Sequence, residues 1–152
     1  MGSWVVSFQV DVTALGDLID KLRENQSAIG DGLEAGMTSA MAKLAAYIQQ
    51  NKLSGQVLNQ RSGKLSQSVG HPTVSRESDT RVVGAIGGVF YGRVQEFGAT
   101  ITINSAVNMK GIGWRYLKTI TLPARPWLNP SIEEQLDMIS AEVVGAVKEA
   151  LQ

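Results

Sequence analysis

The stretch Val82–Gly98, VVGAIGGVFYGRVQEFG, changes its hydrophobic period within a single run of sequence. Its first ten residues carry no charge and are rich in valine, isoleucine and glycine, which is typical of a short buried strand. Gly87 and Gly88 are expected to break or bulge that strand. Val94 and Phe97 then lie three residues apart, which predicts one or two helical turns ended by Gly98. A buried strand that leads into a short helix is therefore the centre of the predicted fold.

The segment before this stretch is predicted to contain a strand and two helices. Residues 4–10 alternate between apolar and polar side chains, as a half-buried strand does. Because a glycine costs about 1 kcal/mol in a helix interior, the second helix is expected to break near Gly30–Gly32 and to be firm from Leu33 to Gln50. Apolar residues at helical spacing define the two helices: Leu15, Leu18, Ile19 and Leu22 in the first, and Leu33, Met37, Met41, Leu44 and Ile48 in the second.

A polar segment connects the second helix to the central strand. Residues 51–67 are predicted to form a long, mobile loop. Residues 68–76 follow as a strand, which lies at the edge of a sheet or carries an irregularity, because Pro72 has no amide donor. Residues 77–80 then form a hairpin turn into the central strand.

The segment after Gly98 is predicted to form a hairpin and a terminal helix. Ile101 and Ile103 mark one strand, and residues 104–113 form a polar, mobile loop. The last helix is capped by Asn129 with Pro130 at its first position, or by Ser131 with Glu134 completing a capping box. One face of the second strand carries Trp114, Tyr116, Lys118, Ile120 and Leu122, and the buried stripe of the helix is Ile132, Leu136, Ile139, Val143 and Ala146 or Val147.

The predicted order of elements is β, α, α, β, β, short α, β, β, α. This order favours an α+β fold: a mainly antiparallel sheet of about four to five strands, with the long helix and the C-terminal helix packed on one face. A length of 152 residues is near that of one domain, so a single domain is expected over residues 1–152.

The charges are unevenly distributed although the formal net charge is zero. Residues 1–51 carry six acidic and three basic side chains, residues 52–125 three and ten, and residues 126–152 five and one. Two interpretations follow from this pattern. Acidic helical regions flank a basic sheet and let unlike surfaces self-associate, or a basic face contacts phosphate or an acidic partner.

No pattern in the chain predicts a catalytic, cofactor or metal site. The chain has no cysteine, which excludes disulfides and thiolate chemistry. His71 is the only histidine and is interpreted as a surface or partly covered structural residue. The sequence around Ser62 and Lys64 lacks the first glycine and the final Ser or Thr of a phosphate-binding loop. Arg93 and Glu96 are spaced to form a weak helical ion pair. We therefore expect no enzymatic activity.

Membrane insertion and secretion are not predicted either. The chain has no run of about twenty apolar residues, and no basic segment precedes the first strand. Synthesis in the cytosol is the expectation.

An aromatic and basic cluster in the second hairpin strand has two interpretations. Trp114 and Tyr116, with Lys110, Arg115 and Lys118 nearby, are of the kind that stack on bases and contact phosphates. The alternation places Trp114 and Tyr116 on one face and Arg115 on the other, which favours a core or subunit face.

Three motifs occur in a fixed order along the chain. The first is Arg61–Ser68, RSGKLSQS. The second joins Val83-Gly84 to Tyr91–Gly98, YGRVQEFG. The third is Pro123–Leu128, PARPWL, followed by the terminal helix. In this order, from about Leu15 to the C-terminus, the chain resembles the tail-completion (head–tail joining) proteins of long-tailed bacteriophages and the related virion-morphogenesis proteins.

The resemblance implies a non-enzymatic structural protein of the virion neck or tail, assembled in the host cytoplasm. It implies a homo-oligomeric ring, a hexamer or a dodecamer, that contacts the tail tube or tail terminator protein and the head connector proteins. In such a ring three basic residues are hypothesised to face a channel through which DNA passes: Arg61, Lys64 and Lys110. The alternative is a small DNA- or partner-binding assembly factor that uses the basic middle segment.

The resemblance also marks structural residues within the motifs. Arg125 is interpreted either as the partner of an ion pair with the Glu96 segment or as an exposed residue, and Tyr91, Phe97 and Trp127 as core anchors. The full set of motif residues is Ser62, Gly63, Leu65, Ser68, Tyr91, Gly92, Glu96, Phe97, Gly98, Pro123, Arg125, Pro126 and Trp127.

Overall fold

The computed structural model describes residues 4–9, 25–55, 57–58 and 62–152. The predicted first helix, with Leu15, Leu18, Ile19 and Leu22, lies outside these residues, as does Arg61.

The described residues form five strands and four helices in two antiparallel sheets. One sheet has three strands in the order β1-β3-β2, and the other is a two-stranded ribbon of β4 and β5. The α+β class is confirmed, with the strands divided between two sheets. The elements are β1 (Trp4–Gln9), α1 (Gln26–Asn51), α2 (Lys64–Val69), β2 (Thr73–Ser78), β3 (Arg81–Gly88), α3 (Phe90–Phe97), β4 (Ala99–Met109), β5 (Gly113–Leu122) and α4 (Asn129–Ala150).

Helix α1 lies between the three-stranded sheet and helix α4 and contributes more buried apolar residues than any other described element. Its buried methionines Met37 and Met41 pack on β3 at Gly84, where a Cβ atom would lie 2.8 Å from Sδ of Met41. A small residue in β3 therefore makes room for two large, flexible side chains of α1.

The predicted break of α1 near Gly30–Gly32 is wrong, because the helix is continuous from Gln26. Its glycines allow close packing. A Cβ atom on Gly32 would lie 2.9 Å from Cα of Val147, and one on Gly36 would lie 2.7 Å from Cα of Val143. The backbones of α1 and α4 thus approach closely, and the packing gained offsets the intrinsic helix cost of glycine.

Helix α4 buries Ile139, Val143 and Val147 against α1, as its periodicity predicts. Leu136 was predicted in the same stripe, and this is wrong, because its side chain is 50% exposed. Among the described helices, none is both long and apolar enough to cross a membrane.

Polar contacts run along the edge of the α1–α4 interface. Lys52 pairs with Glu134 at 2.8 Å, and Tyr47 donates a hydrogen bond to the same carboxylate. Lys43 pairs with Glu142. The hydrogen bond from Lys52 lowers the pKa of Glu134, and that from Lys43 lowers the pKa of Glu142, below the ordinary value of 4.5.

The segment before the sheet contains a helix that the loop prediction for residues 51–67 missed. Helix α2 begins at Lys64, and its Leu65 and Val69, one turn apart, are buried in the core. Nε2 of Gln49 donates to the carbonyl of Ser66 at 2.7 Å and ties α2 to α1. The spacing of Leu65 and Val69 was the available signal for this helix.

The sheet confirms one expectation and corrects two. Strand β2 begins after Pro72 and lies at the edge, as predicted, but the strand predicted over 68–76 starts only at Thr73. Gly87 and Gly88 form no bulge, because they pair in regular register with Val5 and Trp4, and β3 ends at Gly88.

The predicted polar loop over residues 104–113 is also wrong. Strand β4 continues to Met109, and the turn is confined to residues 110–112, closed by a hydrogen bond from N of Ile112 to O of Met109 at 2.9 Å. A bulge between Thr102 and Ser105, with Asn104 at φ 47°, interrupts the strand without ending it.

Gly36→Ala is expected to destabilise the protein by about 1–3 kcal/mol, because the new methyl group meets the α4 backbone and separates the two helices. The matched control is Gly145→Ala in α4, where nothing lies within 4 Å of the new atom, so helix propensity should make it neutral or stabilising. Urea unfolding measures both. Equal effects of the two substitutions would contradict the close approach.

The ion pairs of Glu134 and Glu142 should make the unfolding free energy depend on pH in the acidic range. Both pKa values are lowered in the folded state, so the contribution is complete above about pH 4.5 and is lost as the pH falls through the lowered values. The double variant Glu134→Gln, Glu142→Gln should therefore lose less unfolding free energy than the parent between about pH 5 and pH 3. Urea unfolding at each pH tests this, and parallel profiles would disprove it.

Candidate interaction site

Helix α3 connects the end of β3 to the start of β4, and its ends are fixed by backbone geometry. It begins one residue after β3 and ends at Gly98, which has φ 73°. A Cβ atom on Gly98 would lie 2.8 Å from the carbonyl oxygen of Leu122 and 3.0 Å from N of Ala124. The positive φ and the lack of space both favour glycine here. The predicted glycine-ended helix after the central strand is thus confirmed.

The buried side of α3 presents a carboxylate to the start of helix α4. Oε2 of Glu96 accepts backbone N–H bonds from Trp127 at 2.7 Å and Leu128 at 2.8 Å, and Oε1 accepts one from Asn129 at 2.9 Å. The Glu96 residue is only 3% exposed. We call this set of bonds the Glu96 clamp.

The clamp satisfies donors that a helix cannot satisfy itself. Leu128 and Asn129 are the N-cap and first residue of α4, whose N–H groups have no intrahelical acceptor. Pro130 follows, and proline has no N–H to satisfy. The helix dipole also favours a negative charge at this end. Glu96 therefore acts as a capping residue 31 to 33 positions away in sequence.

Further hydrogen bonds hold the same two segments together. The indole Nε1 of Trp127 donates to the carbonyl of Gly92 at 3.2 Å, and N of Arg125 donates to the carbonyl of Gln95 at 2.6 Å. The hydroxyl of Ser131 donates to the carbonyl of Trp127 at 2.5 Å. The second and third sequence motifs thus form one structural unit.

Several predicted roles in this unit are wrong. Of the two interpretations of Arg125, the exposed residue is confirmed and the ion pair with the Glu96 segment is wrong, because the side chain is exposed and the backbone makes the contact. Arg93 is also exposed and does not pair with Glu96, whose oxygens are taken by backbone donors. No side chain caps α4 from within, contrary to both capping predictions for Asn129 and Ser131.

The outer side of α3 is aromatic. Phe90 is 63% exposed and Phe97 is 60% exposed, and with Val94 they follow the i, i+4, i+7 spacing of one helix face. Tyr91 is exposed as well. The predicted core roles of Tyr91 and Phe97 are therefore wrong, while that of Trp127, which is fully buried, is confirmed. The helix has a carboxylate inside and aromatic rings outside, the reverse of the usual arrangement.

The β4–β5 ribbon extends from this unit, and its strands contact chiefly each other. None of its side chains that the structure describes, which are all except that of Leu117, is buried. Trp114 is 71% exposed and Tyr116 is 64% exposed. The hydroxyl of Tyr116 donates to the carbonyl of Asn104 at 3.2 Å, across the ribbon at the bulge.

One face of the ribbon is largely apolar, as the predicted alternation in β5 requires. Cross-strand partners lie on the same face of an antiparallel pair, and the register pairs Ile101 with Ile120 and the two aromatic residues with Ala106 and Asn108. The apolar ribbon face therefore comprises Ile101, Ala106, Asn108, Trp114, Tyr116, Lys118, Ile120 and Leu122. Arg115 lies on the opposite face.

The three basic residues hypothesised to face DNA are not on one element. Lys64 is exposed in the first turn of α2, Lys110 lies in the turn of the ribbon, and Arg61 is outside the described residues. One segment of the sequence instead has an excess of positive charge. Residues 97–132 contain four basic side chains and no acidic one.

The remaining motif residues lie in or just before helix α2, or are exposed. Leu65 is buried, and the hydroxyl of Ser68 donates to the carbonyl of Leu65 at 2.7 Å. Gly63, at φ 69°, precedes α2. Ser62, Pro123 and Pro126 are exposed.

The described part of the chain contains no group of three or more His, Asp and Glu side chains placed to hold a metal ion. His71 is exposed, in line with the surface interpretation.

Comparison with protein-family models, curated proteins and solved structures found no match to this chain. The features of the molecule that bear on its function are the Glu96 clamp and the exposed apolar surfaces.

Glu96→Gln is expected to destabilise the protein by about 2–3 kcal/mol, because an amide has one acceptor oxygen and places an N–H group against a backbone donor of α4. The matched control is Glu34→Gln on the exposed side of α1, which should change stability by less than about 0.5 kcal/mol. Urea unfolding compares the two. A Glu96→Gln protein as stable as the control variant would show that the clamp contributes little.

Proposed function

We propose that this chain is a non-enzymatic structural protein of a long-tailed bacteriophage. It acts in the neck of the virion, at the head–tail junction, where it is needed to complete the tail or to join the tail to the head. The observation that carries the proposal is the Glu96 clamp. It brings together two of the three motifs, Tyr91–Gly98 and Pro123–Leu128, whose order along the chain carries the resemblance to tail-completion proteins.

The exposed surfaces support a role in assembly. Large apolar side chains are exposed on α3 and on the ribbon, and clustered exposure of this kind is typical of surfaces that bind other proteins. We propose that the chain forms a homo-oligomeric ring, a hexamer or a dodecamer. Its further partners are the tail tube or tail terminator protein on one side and head connector proteins on the other.

A second candidate function has one observation in its favour. The absence of acidic side chains from residues 97–132 gives this segment a positive charge, which suits a small assembly factor that binds DNA or an acidic partner. In a ring, the same charge would meet passing DNA. Retention of DNA that falls steeply between about 50 and 200 mM salt would support this candidate.

The proposal predicts a specific assembly defect. A phage genome in which this reading frame is stopped early should produce separate heads and tails, and supply of the intact chain in trans should restore complete particles. Negative-stain electron microscopy scores both. Complete, infectious particles without the chain would overturn the proposal.

Solution mass provides an independent measurement. Light scattering of the purified chain, alone and with tail tube protein, is expected to give an oligomer in at least one condition. A monomer in both conditions would argue against the ring and leave the head–tail assignment to the particle experiment.

A further inference from the structure

We propose that the apolar ribbon face of one copy docks on the outer face of helix α4 of a second copy. This inference rests on the proposed self-association and identifies the two surfaces that would make it. The surfaces are different, so the contact is head-to-tail and repeats from copy to copy.

The ribbon has an unpartnered apolar face. A two-stranded ribbon is at best marginally stable alone in water, and this one receives little support from the rest of the chain. Trp114, Tyr116 and Ile101 on its apolar face are all exposed, and Lys118 lies among them on the same face. The ribbon carries three positive charges and no negative one. Its partner should therefore be apolar and acidic.

The outer face of α4 has these properties. Glu133, Leu136, Asp137 and Ser140 follow the i, i+3, i+4, i+7 spacing of one helix face, and all four are exposed. Glu133 and Asp137 form no ion pair with any described residue, whereas Glu134 and Glu142, nearer to α1, are paired with lysines. The outer face of α4 thus offers one large apolar side chain between two unpaired carboxylates.

Helix α4 and the ribbon are also similar in overall length. The 22 residues of α4 span about 33 Å at the rise of an α-helix, and the 11 residues of β4 span about 36 Å at the rise of a strand. The ribbon and α4 of one copy make no extensive contact with each other, so the match is available only to a second copy.

The apolar ribbon face is less suited to bind nucleic acid than to bind the outer face of α4 of a second copy. The three cations are divided between the turn and both faces, and the isoleucines at its base offer nothing to a phosphate backbone. Affinity for nucleic acid comes largely from the number of phosphates that a protein neutralises, and three separated cations neutralise few.

Charge reversal on the two faces of one strand tests the docking. Lys118→Glu, on the apolar ribbon face, should raise the dissociation constant for self-association about tenfold, because it sets like charges against each other. The matched control is Arg115→Glu, which makes the same charge change on the opposite face and should have little effect. The pair Glu133→Lys, Asp137→Lys on α4 should weaken self-association to a similar extent.

A variant that combines the substitutions on both surfaces is the decisive experiment. A chain that carries Lys118→Glu together with Glu133→Lys and Asp137→Lys should return to within about threefold of the parent dissociation constant, measured by sedimentation equilibrium. Trp114→Ala should weaken self-association more than its control Met109→Ala on the opposite face. All substituted residues are exposed, so urea unfolding midpoints near that of the parent should confirm that the variants fold.

Each other outcome overturns the docking. An oligomer equally insensitive to Lys118→Glu and Arg115→Glu removes this interface but leaves the proposed virion function in place. A parent chain that stays monomeric, both alone and with tail tube protein, removes both the docking and the proposed ring. Loss of DNA retention by Lys118→Glu, without a change in mass, assigns the ribbon to nucleic acid. The particle experiment does not use these variants, so failure of the docking and failure of the proposed function remain distinguishable.

Discussion

A buried carboxylate needs partners, and in this protein those partners are the first backbone N–H groups of the last helix. Removing a charge from water without compensation costs several kcal/mol, so Glu96 is stable inside only because Trp127, Leu128 and Asn129 donate to it. These N–H groups in turn require the carboxylate, because the start of a helix offers them no internal acceptor. Helix α3 follows directly from β3, and α4 packs along α1. The clamp is thus the contact that joins the central strand to the terminal helix, and through it to the α1–α4 core.

Because the clamp occupies the buried side of α3, the aromatic side chains of this helix lie on its exposed side. Gly92 and Glu96 lie one turn apart on the buried side, where the carbonyl of Gly92 accepts the indole N–H of Trp127. The aromatic rings of Phe90 and Phe97 are left facing outward. Clustered exposure of large apolar side chains is typical of surfaces that bind other proteins. The same constraint that fixes the fold therefore creates the surface from which assembly is inferred.

The sequence predicted features set by local periodicity and missed those set by distant residues. The transition from strand to glycine-ended helix at Val82–Gly98, the edge position of β2 after Pro72 and the α+β class all follow from patterns within a few residues. The cap of α4 could not be found in this way, because Ser131 and Glu134 form a good local capping pattern while the actual acceptor, Glu96, is more than thirty positions away. The penalty assigned near Gly30–Gly32 was likewise local, whereas the close contacts of Gly32 are with α4. The α2 helix was detectable, since Leu65 and Val69 have helical spacing.

The clamp also bears on the geometry of the proposed assembly. Gly98, between α3 and the ribbon, packs its backbone against Leu122 and Ala124, and the Glu96 bonds begin three residues later at Trp127. The base of the ribbon and the start of α4 are therefore fixed to the same short helix. In the proposed docking the ribbon of one copy binds α4 of the next copy. The angle between the ribbon and α4 within one copy therefore sets the rotation from each copy to the next. A head-to-tail contact closes into a ring only when that rotation divides a full turn without a rise along the axis, and otherwise continues as an open filament. A rigid clamp at the point where the two surfaces meet is the feature that a closed ring requires of its subunit.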